Sequence, residues 1–137
     1  MNIAIIGYGK MGKMIEQAAC SGGHTIAAVV DPLAKGTSFL MGVKISKSIE
    51  EAENIDSASV AIEFTQPATA LGNIRALAAK KIPTVAGTTG WHDKLEEARQ
   101  AVEAAGSSLI WSSNFSIGVN IFYRVAWYAA QLANSFP

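Results

Sequence analysis

The run Asn2-Ile3-Ala4-Ile5-Ile6-Gly7-Tyr8-Gly9-Lys10-Met11-Gly12 carries an apolar strand pattern straight into a G-x-G-x-x-G turn and then into helical spacing. Strand, glycine turn and helix in that order mark where a dinucleotide fingerprint belongs. Gly7 permits the tight turn, Gly9 leaves no Cβ between the backbone and a pyrophosphate, and Gly12 lets the helix pack close on the strand. The unpaired N–H groups of the helix start would then face the phosphates. Glycines alone are weak evidence, since any sharp strand-to-helix turn uses them. Asp31 strengthens the reading, because it closes a second strand 19 residues beyond Gly12, where a carboxylate accepts hydrogen bonds from the adenosine ribose hydroxyls. Its plainer role would be to start a turn with Pro32.

Working outward, strand-like runs alternate with helix-like stretches, which implies a parallel sheet. Strands are read at Asn2–Ile6, Thr25–Val30, Val60–Phe64, Thr84–Ala86 and Ser108–Trp111, short and rich in Val, Ile and Ala as in strands covered on both faces. Helices are read at Met11–Ala19, Ile49–Ile55, Thr69–Lys81 and Lys94–Ala105. Capping-box spacing at Ser48/Glu51 and Asp93/Glu96 opens two of them, and Pro67 suits a first helical turn. The weak pattern over Leu33–Ser46 reads as a loop with room for one short strand. The expected fold is a Rossmann-like α/β domain, a doubly wound parallel sheet in a three-layer α/β/α arrangement.

In such sheets the ligand lies outside the carboxyl ends of the strands. Three further strand ends stand out: Phe64-Thr65-Gln66-Pro67, Gly87-Thr88-Thr89-Gly90 and Ser112-Ser113-Asn114-Phe115-Ser116. Small hydroxyl residues beside glycines let a flat ring lie against backbone, Asn114 offers an amide, and Phe115 an apolar wall. Singly, each has a duller reading: Thr88 and Thr89 as turn formers, Phe64 and Phe115 as core, Asn114 as a cap. Their coincidence at successive strand ends favours a nicotinamide site.

At 137 residues and 50% hydrophobic content the chain can bury one sizeable core. Eleven Lys and Arg balance eleven Asp and Glu, which favours neither nucleic acid nor an anionic membrane as a partner. A single cysteine, Cys20, excludes an intrachain disulfide and reads as a buried thiol in a reducing compartment. The first residues run into a strand without a basic leader, so a cytoplasmic location is expected. His24 and His92 stand singly and read as structural or solvated. Ile117–Ala133 is helical in spacing and apolar nearly all round, with Arg124 its only charge. A helix of this kind wants cover on several sides, and it is shorter than the ~20 apolar residues that cross a bilayer.

The chain resembles the dihydrodipicolinate reductase family. The resemblance rests on Gly7–Gly12, on Val60-Ala61-Ile62-Glu63-Phe64-Thr65-Gln66-Pro67, on Gly87-Thr88-Thr89-Gly90 and, most specifically, on Asn114-Phe115-Ser116-Ile117-Gly118-Val119-Asn120. It implies an NAD(P)H-dependent oxidoreductase that reduces a cyclic dihydrodipicolinate precursor on the way to diaminopimelate and lysine. It further implies that Gly7, Tyr8, Gly9, Lys10, Met11 and Gly12 hold the pyrophosphate and Asp31 the adenosine ribose. Gly87, Thr88 and Thr89 would hold the nicotinamide ribose and ring, Ser112, Ser113, Asn114 and Phe115 the nicotinamide edge, and Phe64 and Thr65 would line the same cleft.

Family members often carry Arg beside the acidic residue to hold the NADPH phosphate, and Pro32 stands there instead. A carboxylate repels a 2′-phosphate, so NADH is favoured over NADPH, with Lys10 and Lys35 as nearby cations that could offset the repulsion. The family continues into a second domain whose His-His-Arg segment, Lys and Ser-Gly-Thr turn bind the dicarboxylate. None of these follows before Pro137, so no catalytic residue is expected here. Residues 1–116 are expected to be the cofactor domain, and residues 117–137 an interdomain helix that begins the substrate domain. On this reading the isolated chain binds NADH or NADPH without appreciable turnover, and its terminal helix favours self-association. Two other readings stay open: the cofactor domain of an aspartate or sugar dehydrogenase, and a non-catalytic nucleotide-sensing module.

Overall fold

The computed structural model describes residues 1–34, 39–40 and 42–136. Lys35, named above as a cation near Asp31, lies outside the described residues. The elements are β1 (Asn2–Ile6), α1 (Lys10–Ser21), β2 (Thr25–Val30), β3 (Phe39–Leu40), β4 (Val43–Ser46), β5 (Val60–Glu63), α2 (Pro67–Ala79), β6 (Thr84–Ala86), α3 (Leu95–Ala105), β7 (Leu109–Trp111) and α4 (Ile117–Ala133).

The strands form one sheet in the order β3-β4-β2-β1-β5-β6-β7. β3 pairs antiparallel with β4, and every other pairing is parallel. The six parallel strands, taken in chain order, lie 3-2-1-4-5-6, the doubly wound Rossmann arrangement. The chain winds outward from β1 to β4, then returns to place β5 on the other side of β1. The reversal opens a crevice at the carboxyl ends of β1 and β5, whose register sets Ile6 beside Glu63.

The central strands lack alternation because helices or turns cover both of their faces. Ile3 and Ile5 pack with Ile26, Val29 and Ala19 of α1. Ala4 and Ile6, on the opposite face, pack with Ala28, Val30, Ile49, Ile55 and Leu77 of α2. A further cluster joins α2 to α3 through Ala70, Ile74, Trp91, Ala98 and Val102. Cys20 is half-buried in α1 against the Ile3/Ile5 face, more exposed than expected.

Three local expectations need correction. Residues 49–55 do not form an α-helix. Ser48 Oγ does accept the Glu51 N–H at 3.3 Å, but the chain proceeds by three-residue turns, Ala52 N–H to Ile49 O and Ile55 N–H to Ala52 O, both 3.3 Å. Asn54 then turns left-handed at φ 62° and ends any right-handed run. Seven residues are too few to sustain a helix without tertiary help, and the turns bury Ile49, Ala52 and Ile55 just as well. The Asp93/Glu96 box does not form either: α3 begins from a 3-10 turn at His92–Lys94 with no side-chain cap. Glu96 bonds Arg99 instead, which holds its carboxyl below the usual carboxylate range. Finally, the loop expected over Leu33–Ser46 contains two strands, and β4 is a full member of the parallel sheet.

No residue of α4 is buried. Ile117, Phe122, Trp127 and Tyr128 are each at least 60% exposed. No helix among the described residues is long and apolar enough to cross a membrane.

Candidate functional site

The site begins where the sheet stops. Backbone bonds lace the first residues beyond each strand to the neighbouring strand end: Gly7 N–H to Val30 O at 2.7 Å, Phe64 N–H to Ile6 O at 2.9 Å, Gly87 N–H to Glu63 O at 2.9 Å and Ser112 N–H to Ala86 O at 3.2 Å. Gly7, Phe64, Gly87 and Ser112 therefore stand side by side along one edge.

Gly7 has φ +92°, and a Cβ there would lie 2.1 Å from the Phe64 carbonyl oxygen, so only glycine fits. At Gly12 a Cβ would lie 2.2 Å from the Gly7 oxygen and 3.4 Å from Ile5 Cγ2, so α1 lies close on both the turn and β1. Gly9 differs: nothing lies within 4 Å of its Cβ position. The protein itself makes no steric demand for glycine there, and the open space faces whatever approaches the turn. Gly9 is also the N-cap of α1, which has no side-chain cap and no acidic residue in its first turn. Its leading N–H groups and positive dipole end are left for an anion, with Lys10 and Met11 exposed beside them.

Asp31 is bound into this turn. Its Oδ2 accepts the Tyr8 N–H at 2.9 Å, and its Oδ1 accepts the Leu33 N–H at 2.8 Å. The carboxylate thus organises its own turn, the plainer of its two expected roles, and also braces the glycine turn. The Tyr8 hydroxyl donates to Glu16 at 2.6 Å. Partial burial, aided by Glu16, pushes that phenol up to about 12.

A cavity of ≈ 640 Å³ opens over the β1/β5 reversal. Gly7, Gly9, Ile6 and Val30 line its base, Asp31, Pro32, Leu33, Lys47, Ser48 and Glu50 contribute one wall, and Phe64, Thr65, Gln66, Thr69, Gly72 and Asn73 the other. Of the expected site residues, Gly7, Gly9, Asp31, Phe64 and Thr65 line it directly. Tyr8, Lys10, Met11 and Gly12 form the turn beside it. Gly87, Thr88, Thr89 and Ser112 to Phe115 lie further along the same edge, outside the cavity. Lys47, unnoticed in the sequence, is the described lysine that shares the cavity with Asp31. It follows β4, and recognition of that strand would have nominated it.

Past the glycine turn the edge is closely fitted. A Cβ at Gly87 would lie 2.0 Å from Phe64 Cζ, so the Phe64 ring occupies the space a side chain would need. The Thr65 N–H donates to Thr88 Oγ1 at 2.7 Å, and the Thr88 carbonyl accepts from buried Trp91 Nε1 at 2.7 Å. Thr65 Oγ1 donates to Glu63 Oε1. At the far end, Ser112 Oγ donates to the Asn114 carbonyl at 2.9 Å, and Asn114 Oδ1 accepts the Ser116 N–H at 2.8 Å. Asn114 thus shapes the turn into α4, while Ser116 is the actual N-cap. Ser113, Thr89 and Phe115 are exposed. His92 is exposed and packs against the Trp111 ring at 4.9 Å, and His24 Nδ1 lies 3.4 Å from the terminal amine. No cluster of potential metal ligands occurs among the described residues.

Residues 1–115 match the family described as dihydrodipicolinate reductase, N-terminus. A 4-hydroxy-tetrahydrodipicolinate reductase of Christiangramia forsetii is 36% identical over 91% of this chain and 46% of its own length. The corresponding reductase of Archaeoglobus fulgidus is 35% identical over 96% of this chain and 52% of its own. The chain thus spans about half the length of these relatives. Among solved structures, an oxidoreductase from Agrobacterium radiobacter in complex with NAD+, L-tartaric acid and magnesium superimposes with a TM-score of 0.68. The match covers 84% of this chain and 36% of that one at 16% identity, a likeness of fold.

Proposed function

This chain belongs to the dihydrodipicolinate reductase family, and from that premise we propose that it is the cofactor-binding half of a cytoplasmic reductase acting on a cyclic dihydrodipicolinate precursor of diaminopimelate and lysine. The observation that carries the proposal is the joining of the glycine turn to Asp31 through the Tyr8 N–H, 2.9 Å from the carboxylate, at the base of a cavity on the sheet's reversal point.

The residues fit a dinucleotide. Gly9 has open space where a Cβ would stand, and the first turn of α1 carries no acidic residue, which suits a pyrophosphate over Gly7 to Gly12. Asp31 would take the adenosine ribose, its lone pairs beyond the two in use being free to accept hydroxyls. Phe64 and Thr65, then Gly87 to Thr89 and Ser112 to Phe115, continue along the edge toward the nicotinamide. The bound cofactor supplies the hydride. The chain's own part is to orient the ring against the Phe64/Gly87 surface and keep water from that face. Groups that polarise the dicarboxylate substrate belong to a second domain, so these residues alone turn over negligibly, and residues 117–137 form the connection to it. The uncovered α4 is the surface through which the chain by itself would associate.

Asp31 beside the ribose favours NADH, and Lys47 on the same wall moderates the repulsion of a 2′-phosphate. Fluorescence titration should find NADH bound at least as tightly as NADPH, and Asp31→Ala should weaken NADH while narrowing the difference. NADPH bound more than about tenfold tighter, a gap of ~1.4 kcal/mol, would contradict the assignment of Asp31.

A further inference from the structure

Glu63 ends β5 at the centre of the sheet and is fully buried. Its Oε1 accepts from Thr65 Oγ1 and, at 3.4 Å, from Asn73 Nδ2 of α2, while its Oε2 has no hydrogen-bond partner among the described residues. Because the single Thr65 hydroxyl hydrogen goes to Glu63, the Thr65 oxygen must accept, and it does so from Asn73 Nδ2 at 3.2 Å, while the Thr69 hydroxyl donates to the Gln66 carbonyl at 3.1 Å. With that side chain fixed from below, the Thr65 N–H meets Thr88 Oγ1 at 2.7 Å, and Thr88 is in turn held by Trp91. The loops after β5 and β6 are thereby coupled at the place where Phe64 packs under Gly87.

We propose that Glu63 is a positioning residue for the nicotinamide end of the cofactor. From beneath the cleft it fixes the Thr65 hydroxyl, and through the Thr65–Thr88 bond it sets the two loops in one register. The inference rests on the cofactor-binding role proposed above. No side-chain hydrogen bond joins Glu63 to the glycine turn or to Asp31 among the described residues.

The test compares NADH with ADP, which shares the adenosine and pyrophosphate but lacks the second ribose and the nicotinamide, by calorimetric titration of this chain and its variants. Glu63→Leu, which removes the acceptor, should weaken NADH by about tenfold or more, the scale of one lost buried hydrogen bond, and leave ADP within about twofold. Glu63→Gln keeps a carbonyl acceptor for Thr65 and should restore NADH binding to within about threefold of the parent. Should Glu63→Leu fail to fold, Asn73→Leu, which removes the amide that donates to both Glu63 Oε1 and Thr65 Oγ1, should give the same split. NADH and ADP falling together, or neither changing, in a folded variant would overturn the proposal. A parent chain that binds neither ligand would overturn the cofactor reading itself, whereas ADP binding with an unaltered NADH response would overturn only the role of Glu63.

Discussion

Tyr8 and Gly87 show how single residues hold the edge of the sheet. Tyr8 gives its N–H to Asp31 and its hydroxyl to Glu16, with its phenol raised from 10.0 to about 12 chiefly by burial. A raised phenol favours the protonated form in the fold, so the associated stability is present below about pH 10 and is lost as pH rises toward 12. Tyrosinate absorbance should show one of the three tyrosines ionising near pH 12, and Tyr8→Phe should remove that component. At Gly87 any side chain must evict the Phe64 ring. Gly87→Val should therefore cost about 1–3 kcal/mol in denaturant melts, as overpacking does, and weaken NADH binding as well. The glycine turn and Asp31 were legible in the sequence because both are local signals at fixed spacing. Glu63, Asn73 and Lys47 were not, since their roles exist only once β5, α2 and β4 come together.

Among the elements, the strands that sequence pattern identified well are those with unbroken apolar runs, such as Ile26–Val30, buried throughout. β4 escaped because Val43-Lys44-Ile45-Ser46 is short and carries a charge, with only Ser46 buried, as suits a strand near the sheet margin. The helix expected at residues 49–55 had a true capping contact and the right apolar residues, but those residues serve a chain of turns equally well. For α4 the sequence pattern was correct, and its exposure agrees with the expectation of an apolar helix left uncovered. A helix that buries nothing contributes little to folding, so a chain ended at Ser116 should melt within about 3 °C of the parent. Light scattering should show concentration-dependent association of the parent and a monomer for the shortened chain. A much lower melting temperature, or a parent that stays monomeric at every concentration, would contradict this view of α4.

The whole molecule is a doubly wound sheet whose reversal point, glycine turn and acidic strand end converge on one crevice, and residues 1–115 carry the family match. Fold and family were therefore readable together, because the same short segments mark both. The open space at Gly9 allows a direct trial of the central claim. Gly9 has φ −78° and ψ −150°, and nothing stands within 4 Å of a Cβ there. Gly9→Val should thus fold as the parent does while blocking the approach of a pyrophosphate. The measurement is a calorimetric titration of NADH into the parent and Gly9→Val, with circular dichroism to show both folded. Saturable one-site binding by the parent that vanishes in Gly9→Val is the predicted result. Equal binding by the two chains, or none by the folded parent, would contradict the account.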